Sequence, residues 1–256
     1  MADEMIDTGG NKNTFKQPVC LTIGGSDSCG GAGIQADLRV FEALDVRGCS
    51  AITALTAQNH FQITRIEATS LAQLDAELHA IFDAYNVVAV KTGMLVDAEH
   101  IAVISSILDL YHVGKPLVVD PVMVSSSGKV LLDCSALNTL QQTLMKQASL
   151  LTPNLDEAAI FLDRAIDDAV EDAAALSLLL GCSVLLKGGH GESDKLMDVL
   201  YESSGDVSIF EHVKQDWDKQ RAHGTGCRLA SAIAAYLAKG KSIHDACEQG
   251  VSFLQT

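Results

Sequence analysis

From Pro18 onward, short unbroken apolar runs alternate with longer stretches in which apolar residues recur every three or four positions. PVCLTIGG, NVVAVKTGM, PLVVDPV and SVLLKGG carry apolar cores of the kind found in strands buried on both faces. CSAITALTAQN and SLLTPN read the same way, and LMDVLY with DVSIF predicts a small antiparallel pair. Between them, Leu38, Phe41 and Leu44 predict one helix. Leu71, Leu74, Leu78, Ile81 and Phe82 predict a second, with Ser70 and Gln73 spaced as a capping box at its start. Further helices are predicted over HIAVISSILDLYH, SALNTLQQTLMKQ, Asn154 to Leu162 and Asp167 to Leu180, and after Gly226 and Ser242. The repeated order of strand and helix predicts an α/β fold with a central, mostly parallel sheet flanked by helices. Residues 1–17 read as a flexible tail and residues 18–256 as a single domain, since no linker or break in composition divides them.

Charge narrows the partners. The net charge of −15 and a pI of about 4.7 argue against nucleic acid or an anionic membrane surface. An anionic ligand must therefore be held by local groups acting against the overall field. The 7 cysteines are scattered without a Cys-x-x-Cys pair, which suits reduced thiols. The polar N-terminus lacks a signal-peptide core and no stretch reaches the length of a membrane span, so a cytoplasmic location is predicted.

In parallel sheets ligands bind beyond the carboxyl ends of the strands, and here those ends hold the chemistry: GGSDSCGGAG, TAQN, KTGM, DPVM, TPNLDE, KGGH and HGTGC. Gly224, Thr225, Gly226 and Cys227 open a helix, where free N–H groups and glycines allow close approach of an anion. A thiol at a helix N-terminus is expected to have a lowered pKa, which makes Cys227 a candidate base or nucleophile; a small buried side chain is the plain alternative. The glycines of Gly24–Asp37 let backbone approach a ligand, with Asp27 and Asp37 capping or bracing the loop. Asn154 and Glu157, three apart at a helix start, suit Mg²⁺ directly or through water, or serve as cap and first-turn acid. Lys187 ends an apolar strand as a phosphate contact or a solvated side chain, and Asp120 is an active-site carboxylate or a turn cap. Together these are the parts of phosphoryl transfer. The chain has neither G-x-x-x-x-G-K-[ST] nor the protein-kinase motifs, which excludes those two classes.

GSDSCGGAGIQADL, ITALTAQN, KTGML, DPVM, TPNLDEA, LLKGGH and HGTGC occur in the order and spacing of the hydroxymethylpyrimidine kinase/phosphomethylpyrimidine kinase family, which this chain resembles from about Val19 onward. The resemblance implies a ribokinase-like three-layer sandwich and ATP- and Mg²⁺-dependent phosphorylation of 4-amino-5-hydroxymethyl-2-methylpyrimidine, then of its monophosphate, in thiamine diphosphate biosynthesis. It implies that Gln58 hydrogen-bonds the aminopyrimidine, and that Gly25, Ala32, Thr56, Met94 and Val122 line the same pocket, with Asp37 counted among the substrate-binding residues. It assigns Asn154 and Glu157 to Mg²⁺ and phosphate, Lys187 to phosphate, Gly224-Thr225-Gly226 to an anion hole and Cys227 to the base. A homodimer is also implied. A pyridoxal/pyridoxine kinase, or a non-catalytic pyrimidine-binding protein on the same scaffold, are the alternative readings. The chain departs from the family pattern at Ser28-Cys29, where Pro-Ser is usual, and at Ala222 and Arg228, where Thr is usual.

Overall fold

The computed structural model describes residues 16–59, 61–124, 131–132, 134–188, 195–213 and 223–255. The expectations for most of the tail, for Gly189 and His190, and for Ala222 lie outside these residues.

One nine-stranded sheet runs through the molecule in the order β3-β2-β1-β4-β5-β6-β7-β8-β9. The strands are β1 (Val19–Asp27), β2 (Arg47–Gln58), β3 (Ile63–Ala68), β4 (Val87–Thr92), β5 (Leu117–Val119), β6 (Leu150–Leu151), β7 (Ser183–Leu186), β8 (Lys195–Tyr201) and β9 (Val207–Val213). From β2 to β7 all neighbours are parallel; β3 pairs antiparallel with β2, and β8 and β9 close the other edge as an antiparallel pair. The parallel strands are the apolar runs of the sequence, and β1, β4, β5, β6 and β7 are almost wholly buried. β3 has no counterpart in the predicted elements. It is a mostly exposed edge strand whose polar residues leave no apolar run to read.

Helices cover both faces, as the three-layer expectation requires. On one face lie α1 (Gly33–Ala43), α8 (Thr225–Ala238) and α9 (Ile243–Leu254), which bury Phe41, Leu229, Ile233 and Val251 against Cys20, Ala89, Val118 and Leu185. On the other lie α2 (Leu71–Ala84), α3 (Ala98–Tyr111), α4 (Cys134–Gln142), α5 (Leu144–Gln147), α6 (Leu155–Leu162) and α7 (Ala169–Leu180), packed on Leu21, Ile23, Val90 and Val119. The helix expected over Ser135–Gln147 is divided at Thr143, whose hydroxyl bonds the Thr139 carbonyl at 2.7 Å. The Ser70 cap is half of the expected box: its oxygen accepts from Gln73 N at 3.2 Å, but the Gln73 amide turns away to Glu77. No described helix is long and apolar enough to cross a membrane.

Candidate active site

The chain leaves β1 toward β2 on one side and returns to β4 on the other, so the connections diverge at the carboxyl ends of β1 and β4. Such a switch point leaves a crevice between the diverging loops. A cavity of about 850 Å³ opens there and extends along the ends of β5, β6 and β7. Every residue that the sequence assigns to substrate, phosphate or metal lines this one cavity. Arg228 does not; its backbone N–H closes the first turn of α8 onto Gly224 O at 2.9 Å.

Two glycines set the wall. Gly33, with φ of +58°, lies so close to the end of β1 that a Cβ would sit 2.3 Å from Gly25 O. Gly224, with φ of +83°, would place a Cβ 2.1 Å from Gly31 O. The HGTGC turn therefore rests directly on the GGAG turn, and a side chain at either position would drive the two apart. Helix α8 begins at Thr225 rather than after Gly226, with Gly224 as its N-cap. That puts the N–H groups of Gly226 and Cys227 in the first turn, where an α-helix supplies no acceptor.

At this end of the cavity the charges converge. A Cβ on Gly226 would be 3.4 Å from Lys187 Nζ and 4.0 Å from Asp120 Oδ2. Lys187 donates to Asp120 Oδ1 at 3.1 Å, and Thr152 donates to the same oxygen at 3.3 Å. Burial works against the Lys187 charge, but Asp120 and Glu157 outweigh it and hold the ammonium above its ordinary range. Glu157 is pushed up to about 7, chiefly by burial and then by Asp120, with Lys187 and the Asn154 and Met123 N–H groups opposing. Asn154 and Glu157 form the reciprocal capping box that Ser70 and Gln73 do not: Glu157 N donates to Asn154 Oδ1 at 2.8 Å and Asn154 N to Glu157 Oε2 at 2.9 Å. Two buried carboxylates, Asp120 and Glu157, together with the Asn154 amide oxygen, make a hard, all-oxygen donor set of the kind Mg²⁺ takes.

The other end of the cavity is apolar with a polar tip. Gly25, Thr56, Met94 and Val122 form its wall. Gln58, at the end of β2, is fixed through its backbone to the Ser28 hydroxyl at 2.8 and 2.9 Å. Its amide nitrogen lies 3.4 Å from His223 Nε2, which in turn meets Asp27 Oδ2 at 3.1 Å. Burial opposes the Asp27 charge, but N–H groups of Ala32 and Cys29, with Gln58 and His223, bring its pKa down to about 2. Asp27 is thus the loop brace that the sequence suggested.

Asp37 is engaged within the protein, and the Cys227 thiol departs from the expected lowering. Asp37 lines the cavity as the resemblance implies, and its carboxylate oxygens are engaged by neighbouring side chains. One oxygen accepts from Thr22 Oγ1 at 2.5 Å and Lys91 Nζ at 2.9 Å, the other from Ser231 Oγ at 2.7 Å. It ties β1, β4 and α8 together at the cavity floor, which Asp37 and Lys91 both line. Lys91 went unassigned in the sequence. Burial disfavours its charge, yet Asp37, with Cys227 and Asp120, holds it well above the usual lysine range. A lysine inside the apolar run VVAVK was the signal available. For Cys227 the expected lowering does not occur: burial pushes the thiol up to about 11, Asp120 and Asp37 add to this, and Lys91 and the Gly33 N–H oppose it. Desolvation outweighs the helix terminus.

Comparison with known proteins agrees with this geometry. The family model described as phosphomethylpyrimidine kinase matches residues 27–256. The hydroxymethylpyrimidine/phosphomethylpyrimidine kinase of Rhizobium meliloti (strain 1021) is 42% identical over 240 residues, covering 92% of this chain and 88% of that protein. Among solved structures, phosphomethylpyrimidine kinase from Clostridium difficile 630 superposes with a TM-score of 0.81 at 35% identity, over 93% of this chain and 98% of that one. The Staphylococcus aureus pyridoxal kinase bound to AMP-PCP and pyridoxal gives 0.82 at 28% identity, over 94% and 87%. With two glycine-rich turns, a buried lysine and an acidic pair at the ends of one parallel sheet, and a match over nearly its whole length, this chain belongs to the phosphomethylpyrimidine kinase family.

Proposed function

We propose that this chain transfers the terminal phosphoryl group of ATP to the alcohol of 4-amino-5-hydroxymethyl-2-methylpyrimidine, and then a second to the resulting monophosphate, in thiamine diphosphate biosynthesis. The observation that carries this reading is the polarity of the cavity. An amide that both donates and accepts, Gln58, stands at an apolar end suited to an aminopyrimidine ring. A half-buried cation, Lys187, stands beside the first turn of α8 at the other end. The curated relatives of this length carry the same two activities in their names.

In this reading the substrate oxygen bonds to the γ-phosphorus as the bond to ADP breaks, and the developing charge falls on the Gly226 and Cys227 N–H groups and on Lys187. Glu157, Asp120 and Asn154 would hold Mg²⁺, which neutralises phosphate charge when bound. The alcohol proton goes to the Cys227 thiolate. With the thiol at about 11, that form is a small fraction near neutral pH, so the anion hole supplies more of the rate than the base does. A homodimer and a cytoplasmic location complete the proposal.

ADP release measured with the pyrimidine alcohol, its monophosphate and pyridoxal as separate acceptors tests it. Turnover of both pyrimidines is expected. Turnover of pyridoxal alone would make the chain a pyridoxal kinase, and binding without ADP release would make it non-catalytic.

A further inference from the structure

Next to the cavity-lining Asp27 stands a group that phosphoryl transfer leaves without a task. Cys29 is exposed on the turn after β1, beside the Asp27 carboxylate that ends that strand. His223, ahead of α8, reaches the same carboxylate from the opposite loop. Cys29 Sγ is 3.5 Å from Asp27 Oδ2 and His223 Nε2 is 3.1 Å from it. All three ligand atoms lie within 4.8 Å of one another. Tetrahedral zinc, with bonds of about 2.0 Å to oxygen and nitrogen and about 2.3 Å to sulfur, spaces its ligand atoms about 3.3 to 3.5 Å apart. Two of the three separations are near those values, and the third closes by rotation of an exposed cysteine side chain. The frame is already built: Asp27 also accepts the N–H groups of Cys29 at 2.9 Å and Ala32 at 2.8 Å, and Gly224 seats one loop on the other.

We propose that Asp27 Oδ2, Cys29 Sγ and His223 Nε2 form a three-ligand site for a borderline-soft divalent cation, Zn²⁺ by its chemistry, with the fourth position open at the cavity mouth. Thiolate and imidazole select against Mg²⁺, which separates this site from the all-oxygen set around Glu157. Binding replaces the Cys29 and His223 contacts to Asp27 Oδ2, while the Ala32 N–H stays on that oxygen. The Cys29 thiol releases its proton to solvent as the metal–sulfur bond forms, and the imidazole binds through Nε2 with its proton on Nδ1. Because Gln58 Nε2 lies 3.4 Å from His223 Nε2, an ion here occupies the approach to the residue assigned to the pyrimidine. Zinc therefore inhibits in competition with the pyrimidine alcohol, a consequence that rests on the proposed kinase activity, whereas the binding does not. The resemblance places Ser where Cys29 stands, so the site belongs to this chain's own sequence.

Titrating the full chain with Co²⁺ and reading near-ultraviolet absorption tests the site directly. One equivalent should give a thiolate-to-cobalt charge-transfer band that Zn²⁺ displaces, and Cys29→Ser should abolish the band and weaken zinc binding by about tenfold or more. In the kinase assay, half-inhibition by free zinc should rise by a similar factor in Cys29→Ser, with kcat and KM unchanged in the absence of zinc. A missing band overturns the proposal, as does a band that survives in Cys29→Ser and disappears in Cys227→Ser. A Cys29-dependent band in a protein that phosphorylates neither pyrimidine upholds the metal site and removes the kinase reading instead.

Discussion

Lys91 and Lys187 stand at the carboxyl ends of two strands of the same parallel segment, the first buried, the second half-buried, and both held cationic by an aspartate, yet they do different work. The Lys91 and Asp37 side chains are each 1% exposed, and Asp37 has spent its oxygens on Thr22, Ser231 and the lysine itself. The Lys187 side chain keeps 13% exposure, and a carbon placed on Gly226 would nearly touch its ammonium. A buried cation whose partner is saturated fixes elements in place; one whose partner is unsaturated and faces a cavity is available to a ligand. By that criterion the first pair is scaffold and the second is site, although the residue types are the same.

The comparison breaks most visibly if the inner pair is cut. Lys91→Met leaves a buried carboxylate without its cation and should destabilise the fold by about 3–5 kcal/mol, read from chemical denaturation. Adding Asp37→Asn should recover most of that loss, since the pair then leaves together. No recovery would mean that Lys91 acts through something other than Asp37. Lys187→Met should do the reverse, leaving the unfolding midpoint much closer to wild type while kcat falls about 100- to 1000-fold. A large stability loss with kcat retained would reassign Lys187 to the scaffold.

The smallest effect concerns Cys227, which both lysines influence. Its thiol, at about 11, lies above the working range, so the thiolate fraction grows about tenfold per pH unit below that value. The ratio of kcat/KM for wild type to that for Cys227→Ser should therefore climb from about pH 7 to about pH 9. Taking the ratio cancels the titration of Glu157. A flat ratio near one would remove the thiolate from the reaction and leave the anion hole to act alone.

Much of this was legible in the sequence because the parallel strands are uniformly apolar and the loops that follow them are not. GTGC, the glycine turn after β1, Gln58 and Lys187 could be placed at the same end of the sheet from order alone. What escaped depends on burial, which spacing does not encode. Asp37 reads like a loop acid until Lys91, Ser231 and Thr22 close around it. Cys227 reads like an activated thiol until desolvation is counted against the helix terminus. β3 is exposed and polar, so its pairing with β2 leaves no apolar signature. The capping-box pattern pointed to Ser70 and Gln73, whereas the complete box formed at Asn154 and Glu157, inside the site.

A crystal structure of this chain with AMP-PCP and the pyrimidine alcohol tests the two-ended site most directly. The account predicts the terminal phosphate on the Gly226 and Cys227 N–H groups within hydrogen-bonding distance of Lys187 Nζ, and the pyrimidine amino group on Gln58. Phosphates bound away from Lys187, or a pyrimidine that leaves Gln58 untouched, would contradict it.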